Sequence, residues 1–137
     1  MIRACVFVLL VALATAAGSI RPPLEAQASQ SEAGYQNLSP HELQALLVQG
    51  RPFLLDVHVP NEGYLASTDA RIPYTEVATR AAELPADPIT PIVVYCMTGR
   101  MSAIAAAELV RLGYTTIFNL AGGMLAWREA GYEVVPG

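Results

Sequence analysis

The sequence predicts a single α/β domain whose central, mostly parallel sheet is covered by helices on both faces. Three observations carry that expectation. Short β-prone runs alternate with helix-like segments over short connections, the pattern of parallel strands joined by crossovers. The run Pro91-Ile92-Val93-Val94-Tyr95 is apolar and β-branched, as a strand buried on both faces requires. The chain has 137 residues, and its folded part, roughly 100 residues, is near the commonest size for one core.

The elements follow in chain order. Met1 to Ala17 holds one arginine and then an almost unbroken apolar run, followed by Arg21-Pro22-Pro23 and a polar stretch from Glu25 to Ala33. A short positive start, an apolar stretch and small-residue sites at Ala14-Thr15-Ala16 and Ala26-Gln27-Ala28 describe an export signal. Residues 1–28 are thus expected to be a signal peptide or, uncleaved, an anchor over residues 4–20, because the apolar run is only slightly shorter than a bilayer span. Residues 29–36 read as linker and 37–137 as the folded domain. The expected location is periplasmic or otherwise outside the cytoplasm, with a membrane as partner only if the leading segment is retained.

Leu38-Ser39-Pro40-His41-Glu42-Leu43 is a helix start. Ser39 can cap, Pro40 takes the first helical position where its missing N–H is harmless, and Glu42 completes a capping box. Leu38 and Leu43 stand at the staple positions, and Gly50 is expected to stop a helix over 40–49 in a left-handed conformation. Phe53 to Val57 reads as a buried strand, 58–70 as a loop, and Arg71-Ile72-Pro73 as a brief edge strand, where proline is tolerated. Glu76 to Leu84 reads as a short helix ended by Pro85 and Pro88. After the strand 91–95, a helix over Ser102 to Leu112 is stopped by Gly113, and its alanines let it lie close to a sheet. Thr115 to Phe118 is a further strand, Asn119 to Gly123 a loop, and Met124 to Ala130 a helix stopped by Gly131.

Composition removes several functions. The net charge is −4, all eight positive residues are arginine, and no basic cluster exists to follow a nucleic-acid backbone. Two distant histidines and one cysteine of the domain do not make a metal site, and no cofactor is expected. His41, in the first helical turn, reads as a surface group, and Met124 and Trp127, at helical spacing, as core.

Of the two cysteines, Cys5 lies in the leading segment, leaving Cys96 alone in the domain. A lone cysteine in an exported protein pairs between chains or is a reactive thiol, although most free cysteines are simply small buried hydrophobes. Position favours reactivity: Cys96 follows the best strand, at the end of a parallel sheet where ligands bind. The stretch Cys96-Met97-Thr98-Gly99-Arg100-Met101-Ser102 reads as a tight turn at Gly99 leading into a helix. Its backbone N–H groups have no helical partners, and the helix dipole adds positive potential. A sulfur at the rim of such a cradle is stabilised as thiolate, with Arg100 a further positive charge. A thiolate so placed can attack sulfane sulfur and hold it as a persulfide, or attack phosphorus. The phosphorus chemistry needs an arginine at the position of Ser102, which disfavours it.

The loop resembles the active-site loop of rhodanese domains, C-x-x-G-x-R-S or near variants. Leu54-Leu55-Asp56-Val57-His58 is similar to the family's first-strand signature, usually D-V-R. Gly113-Tyr114-Thr115-Thr116-Ile117, Leu120-Ala121-Gly122-Gly123-Met124-Leu125-Ala126-Trp127 and Ala130-Gly131-Tyr132-Glu133-Val134 resemble its C-terminal signatures. The resemblance runs from about Leu38 to Val135 and implies a parallel-sheet α/β domain with sulfurtransferase activity through a cysteine persulfide. It implies Cys96 as sulfur carrier, Met97, Thr98, Gly99, Arg100, Met101 and Ser102 as suppliers of the cradle, and Asp56 and His58 as supporting residues. The implied partners are small sulfur anions or a protein sulfur donor or acceptor. Three departures bear on donor specificity and turnover rather than on fold. Met101 stands where the family has arginine, His58 replaces the arginine of D-V-R, and Gly63-Tyr64-Leu65-Ala66-Ser67-Thr68 lacks the histidine and proline of G-H-I-P-G-A. A rhodanese-like module that binds or senses sulfur, or docks a partner, without turnover is the alternative.

Overall fold

The computed structural model describes residues 33–137. The expected export segment and residues 29–32 of the expected linker lie outside the described residues.

The sheet begins earlier than the sequence suggests. Gln36–Leu38 forms strand β1, so Gln36, read as linker, is already part of the domain. Helix α1 spans Pro40–Gln49, and its capping box forms as expected: Ser39 Oγ accepts the Glu42 N–H at 3.3 Å while Glu42 Oε2 accepts the Ser39 N–H at 2.7 Å. Leu38 and Leu43, the two staple residues, share one core cluster. Gly50 ends the helix with φ −161°, an extended rather than a left-handed conformation, so the expected left-handed stop is corrected. Its N–H still closes on the Leu46 carbonyl at 2.9 Å, which satisfies the last turn without a left-handed residue.

Strand β2 is Phe53–Asp56, and the following segment holds two short strands, β3 at Tyr64–Leu65 and β4 at Ala70–Arg71. The expected edge strand thus forms one residue early, leaving Pro73 outside it. Glu76 to Leu84 is not a helix of regular turns: the chain makes successive turns and one 3₁₀ turn at Ala81–Glu83. This tighter winding seats both Val77 and Leu84 in the core, and Arg80 spans Glu76 and Glu83 on the outside. Strand β5, Ile92–Tyr95, is buried at every residue. Helix α2 runs Arg100–Arg111, starting two residues before Ser102 because Gly99, at φ +92°, takes the cap. Strand β6 is Ile117–Leu120, shifted two residues later than expected, since Asn119 pairs in register with Asn37 and hydrogen-bonds to it at 2.9 Å. Helix α3, Gly123–Glu129, and strand β7, Val134–Val135, complete the chain.

Five strands form one parallel sheet in the order β1-β6-β5-β2-β4, and β3 pairs antiparallel with β7 apart from it. The two-residue period of each strand sorts its side chains between two cores. Leu55, Val57, Ile92, Val94 and Cys96 pack with Ala105, Ala106 and Leu109 of α2. Leu54, Val93 and Tyr95 pack on the other face with Leu43 of α1 and Met124 and Trp127 of α3. The alanines of α2 let it approach the sheet, and the met expectation for Met124 and Trp127 is a core role. No helix among the described residues is long and apolar enough to cross a membrane. The sheet's register decides what lies beside the cysteine loop: Asp56 stands opposite Tyr95 and Arg71 at the carboxyl end, and Cys96 directly follows the central strand.

Candidate active site

The Cys96 sulfur lies under its loop rather than at a rim: the residue is only 1% exposed and packs in the α2-side core. The loop nonetheless turns its donors onto it. Sγ accepts the Gly99 N–H at 3.1 Å and the Ser102 hydroxyl at 3.4 Å. Burial pushes the thiol up, yet the Ser102 hydroxyl and the N–H groups of Ser102, Thr98 and Gly99 outweigh it and hold Cys96 below its ordinary range. Arg100 is exposed at the first position of α2, and its charge is not among the causes of that shift. The cradle is therefore made of uncharged dipoles, with Thr98, Gly99 and Ser102 its donors. Met101 is half-buried against the α2-side core and Met97 against the opposite one, so both serve as flanks of the loop.

The loop is held from behind by residues that the sequence reading placed only in a loop and a core helix. Helix α3 directs the N–H groups of its first turn at the loop's carbonyls: Met124 donates to Cys96 O at 2.9 Å and Leu125 to Met97 O at 3.1 Å. With those carbonyls turned toward α3, the neighbouring N–H groups are free to face the sulfur. This close approach needs a residue without a side chain. A Cβ on Gly123 would run into the Cys96 carbonyl and come within 2.6 Å of Met97 O, and Gly123 itself sits at φ +60°. Gly99 is similarly confined, with a Cβ meeting Gly122 N at 3.2 Å. The signal for this clamp was the adjacent pair Gly122-Gly123 opening a helix, a sign of backbone-to-backbone contact.

The supporting residues lie one strand over. Asp56, 4% exposed, uses Oδ1 to accept the His58 N–H at 2.9 Å. Burial raises its carboxyl above the ordinary value, against the lowering influence of the His58 N–H and the charges of His58 and Arg71. His58 Nε2 meets Glu62 Oε2 at 2.7 Å, while its Nδ1 is buried without a hydrogen-bond partner. Neither residue hydrogen-bonds the cysteine loop. Both instead line a cavity of about 250 Å³ together with Val59, Asn61, Arg71, Ile72 and Pro73. No group of three or more metal-ligating side chains occurs among the described residues.

Residues 39–130 match the family model described as the rhodanese-like domain. A sulfurtransferase of Allochromatium vinosum is 33% identical over 85 residues, covering 60% of this chain and 77% of that protein. The thiosulfate sulfurtransferase GlpE of Pseudomonas fluorescens is 33% identical over 99 residues, covering 69% of this chain and 86% of that one. Other relatives are longer, and the chain spans 55% and 26% of two of them. Among solved structures, a rhodanese-related protein of Thermoplasma volcanium superposes with a TM-score of 0.62 at 29% identity, over 72% of this chain and 96% of that one. From the matched span, the sheet order and the cysteine loop together, the chain belongs to the rhodanese-like domain family.

Proposed function

We propose that the protein is a sulfurtransferase that carries sulfane sulfur as a persulfide on Cys96. The observation that carries this reading is the pair of donors on Sγ, the Gly99 N–H and the Ser102 hydroxyl. They stabilise a thiolate before reaction and remain in place for the terminal sulfur afterwards. With thiosulfate as donor, the Cys96 thiolate attacks the outer sulfur, the S–S bond of thiosulfate breaks, and sulfite leaves with the bonding pair. The result is Cys96–S–S⁻. A nucleophilic acceptor then attacks the terminal sulfur and releases the Cys96 thiolate; cyanide leaves as thiocyanate. Charge and sulfur balance in both steps, and neither needs an external oxidant. The name of the Pseudomonas relative supports thiosulfate as the first donor to try.

The test is the intact mass of the protein after incubation with thiosulfate. The expected result is a gain of one sulfur, removed by cyanide with release of thiocyanate and absent in Cys96→Ser. The burial of Cys96 favours a second reading, a module that loads slowly and relays sulfur only to a docked partner. Loading by polysulfide but not by thiosulfate would select it, and no loading from either would overturn both.

A further inference from the structure

In a parallel sheet, connections that lead into strands arrive at the amino end, and connections that leave strands start from the carboxyl end. This sorts the exposed large apolar residues among the described residues into two sets. Val59, Ile104 and Leu125 follow strands β2, β5 and β6 and belong to the carboxyl end, which holds the cysteine loop. Val48, Ile89 and Leu112 precede the same three strands and belong to the amino end. Val48, in the last turn of α1, is 77% exposed, and Ile89 is 65% exposed. Because β6, β5 and β2 are consecutive in the sheet, the three residues stand at the feet of adjacent strands. Ile89 is fixed by a tight turn: its N–H donates to Asp87 Oδ1 at 3.0 Å, and the Thr90 N–H donates to Asp87 O at 3.1 Å. The Thr115 N–H donates to Pro88 O at 3.0 Å, which ties this turn to the segment that follows Leu112. The cations nearby are already paired, Arg51 with Asp69 and Arg111 with Glu108, so this end offers apolar contact rather than charge of one sign.

The chain enters the domain at this same end. Gly34 lies just before β1, which runs parallel to β6, and a Cβ on it would come within 3.1 Å of Val110 in the last turn of α2. Ahead of it, residues 4–20 carry no charge between Arg3 and Arg21 and are the stretch expected to act as an anchor when uncleaved. We propose that this stretch is retained and that the amino end of the sheet rests on the lipid bilayer, with Val48, Ile89 and Leu112 set into its interface. The thirteen residues 21–33 join anchor to domain and, even fully extended, span at most roughly 45 Å. The domain is thereby kept at high local concentration over the lipid, where three apolar side chains hold a contact that a free domain would not. The tether selects lipid over a second copy or a soluble protein as the occupant, because it leads from this end of the domain to the membrane. The same orientation points the carboxyl end, with Cys96, away from the lipid. The inference stands apart from the sulfurtransferase reading: it concerns where the domain sits, not what Cys96 carries.

The test uses the full chain in phosphatidylcholine nanodiscs, one chain to a disc, with and without lipids that carry a nitroxide on the head group. Backbone amide signals are followed by NMR. Those of Val48, Ile89 and Leu112 should be lost when nitroxide lipid is present, while those of Thr98, Ile104 and Leu125 persist. In a variant carrying Val48→Ser, Ile89→Ser and Leu112→Ser together, the signals at these positions should return. Unmoved signals of Ile92 to Tyr95 show that the variant keeps its fold. Equal loss at both ends of the wild-type domain, or loss that the triple variant does not relieve, would overturn the docking. Signals that stay sharp with one chain to a disc and shift only when two chains share it would also overturn it, in favour of a contact between copies. Intact mass of the protein recovered from its own cells is a second measurement: a chain that keeps residues 1–28 supports the proposal, and a chain that lacks them sinks it.

Discussion

Two helix starts in this molecule solve the same problem in opposite ways. At α1, Ser39 and Glu42 satisfy each other's backbone N–H groups, so the helix end is closed within four consecutive residues. At α2, Gly99 caps in a left-handed conformation and supplies no side-chain acceptor. Its donors go instead to a sulfur, and those at the start of α3 go to the carbonyls of the cysteine loop. A self-satisfied start contributes stability and nothing else. An unsatisfied one is a binding device, and here two of them stand back to back, α3 holding the loop that α2 opens.

Breaking the clamp should give the largest effect. Gly123→Ala places a methyl against the Cys96 and Met97 carbonyls at a left-handed φ. Left-handed strain costs about 1–2 kcal/mol, and displacement of the loop adds to it, so a loss of about 3 kcal/mol in denaturant titration is expected. Persulfide loading should fall with it by far more than Cys96 burial or α1 content changes. A Gly123→Ala protein that loads sulfur at the wild-type rate would show that α3 does not position the loop.

The contrast also explains what could be read in advance. The α1 start was legible because its partners are three residues apart in sequence, and β5 was legible because a fully buried strand must be apolar throughout. Cys96 and Ser102 were legible because strand, turn and helix are contiguous around them. The clamp was not, because it joins Cys96 and Met97 to Met124 and Leu125 through backbone groups that carry no residue signature. Gly122 and Gly123 marked only that something comes close. Strands β1, β3 and β7 were missed because two or three residues hold no period of their own and exist through their partners. The juxtaposition of Asp56 and Arg71 escaped for the same reason: the two residues meet only across the β2–β4 register.

A change at the α2 start sharpens the comparison with a smaller effect. Ser102→Ala removes the hydroxyl that donates to Sγ while keeping the alanine-rich helix. The Cys96 thiol should then titrate at higher pH, and alkylation by iodoacetamide at mildly acidic pH should slow about tenfold, the loss of one hydrogen bond to a charged group. The sign follows from the depressed folded value of the thiol. Thiolate stabilisation is fully present above the ordinary pKa of an unfolded cysteine and is lost as pH falls through the lower folded one. Wild type and Ser102→Ala should therefore differ most below the ordinary thiol range and converge at alkaline pH. Parallel alkylation curves without a displacement along the pH axis would remove the hydroxyl from the cradle.

The smallest effect belongs to the closed start. Ser39→Ala should cost about 1 kcal/mol of stability, the usual worth of such a cap, and leave the pH profile of Cys96 alkylation where it was. The Ser39 backbone N–H, and then its hydroxyl, hold the Glu42 carboxyl below its ordinary value. The stabilisation this represents is complete above the ordinary carboxylate pKa and is lost as pH falls through the depressed folded value. Acid should thus weaken wild type through this group more than it weakens Glu42→Gln, which has no charge to lose. The comparison is broken if Ser39→Ala moves the thiol profile, because a helix start whose Ser39 and Glu42 donors are spent on each other does not use them to reach the sulfur.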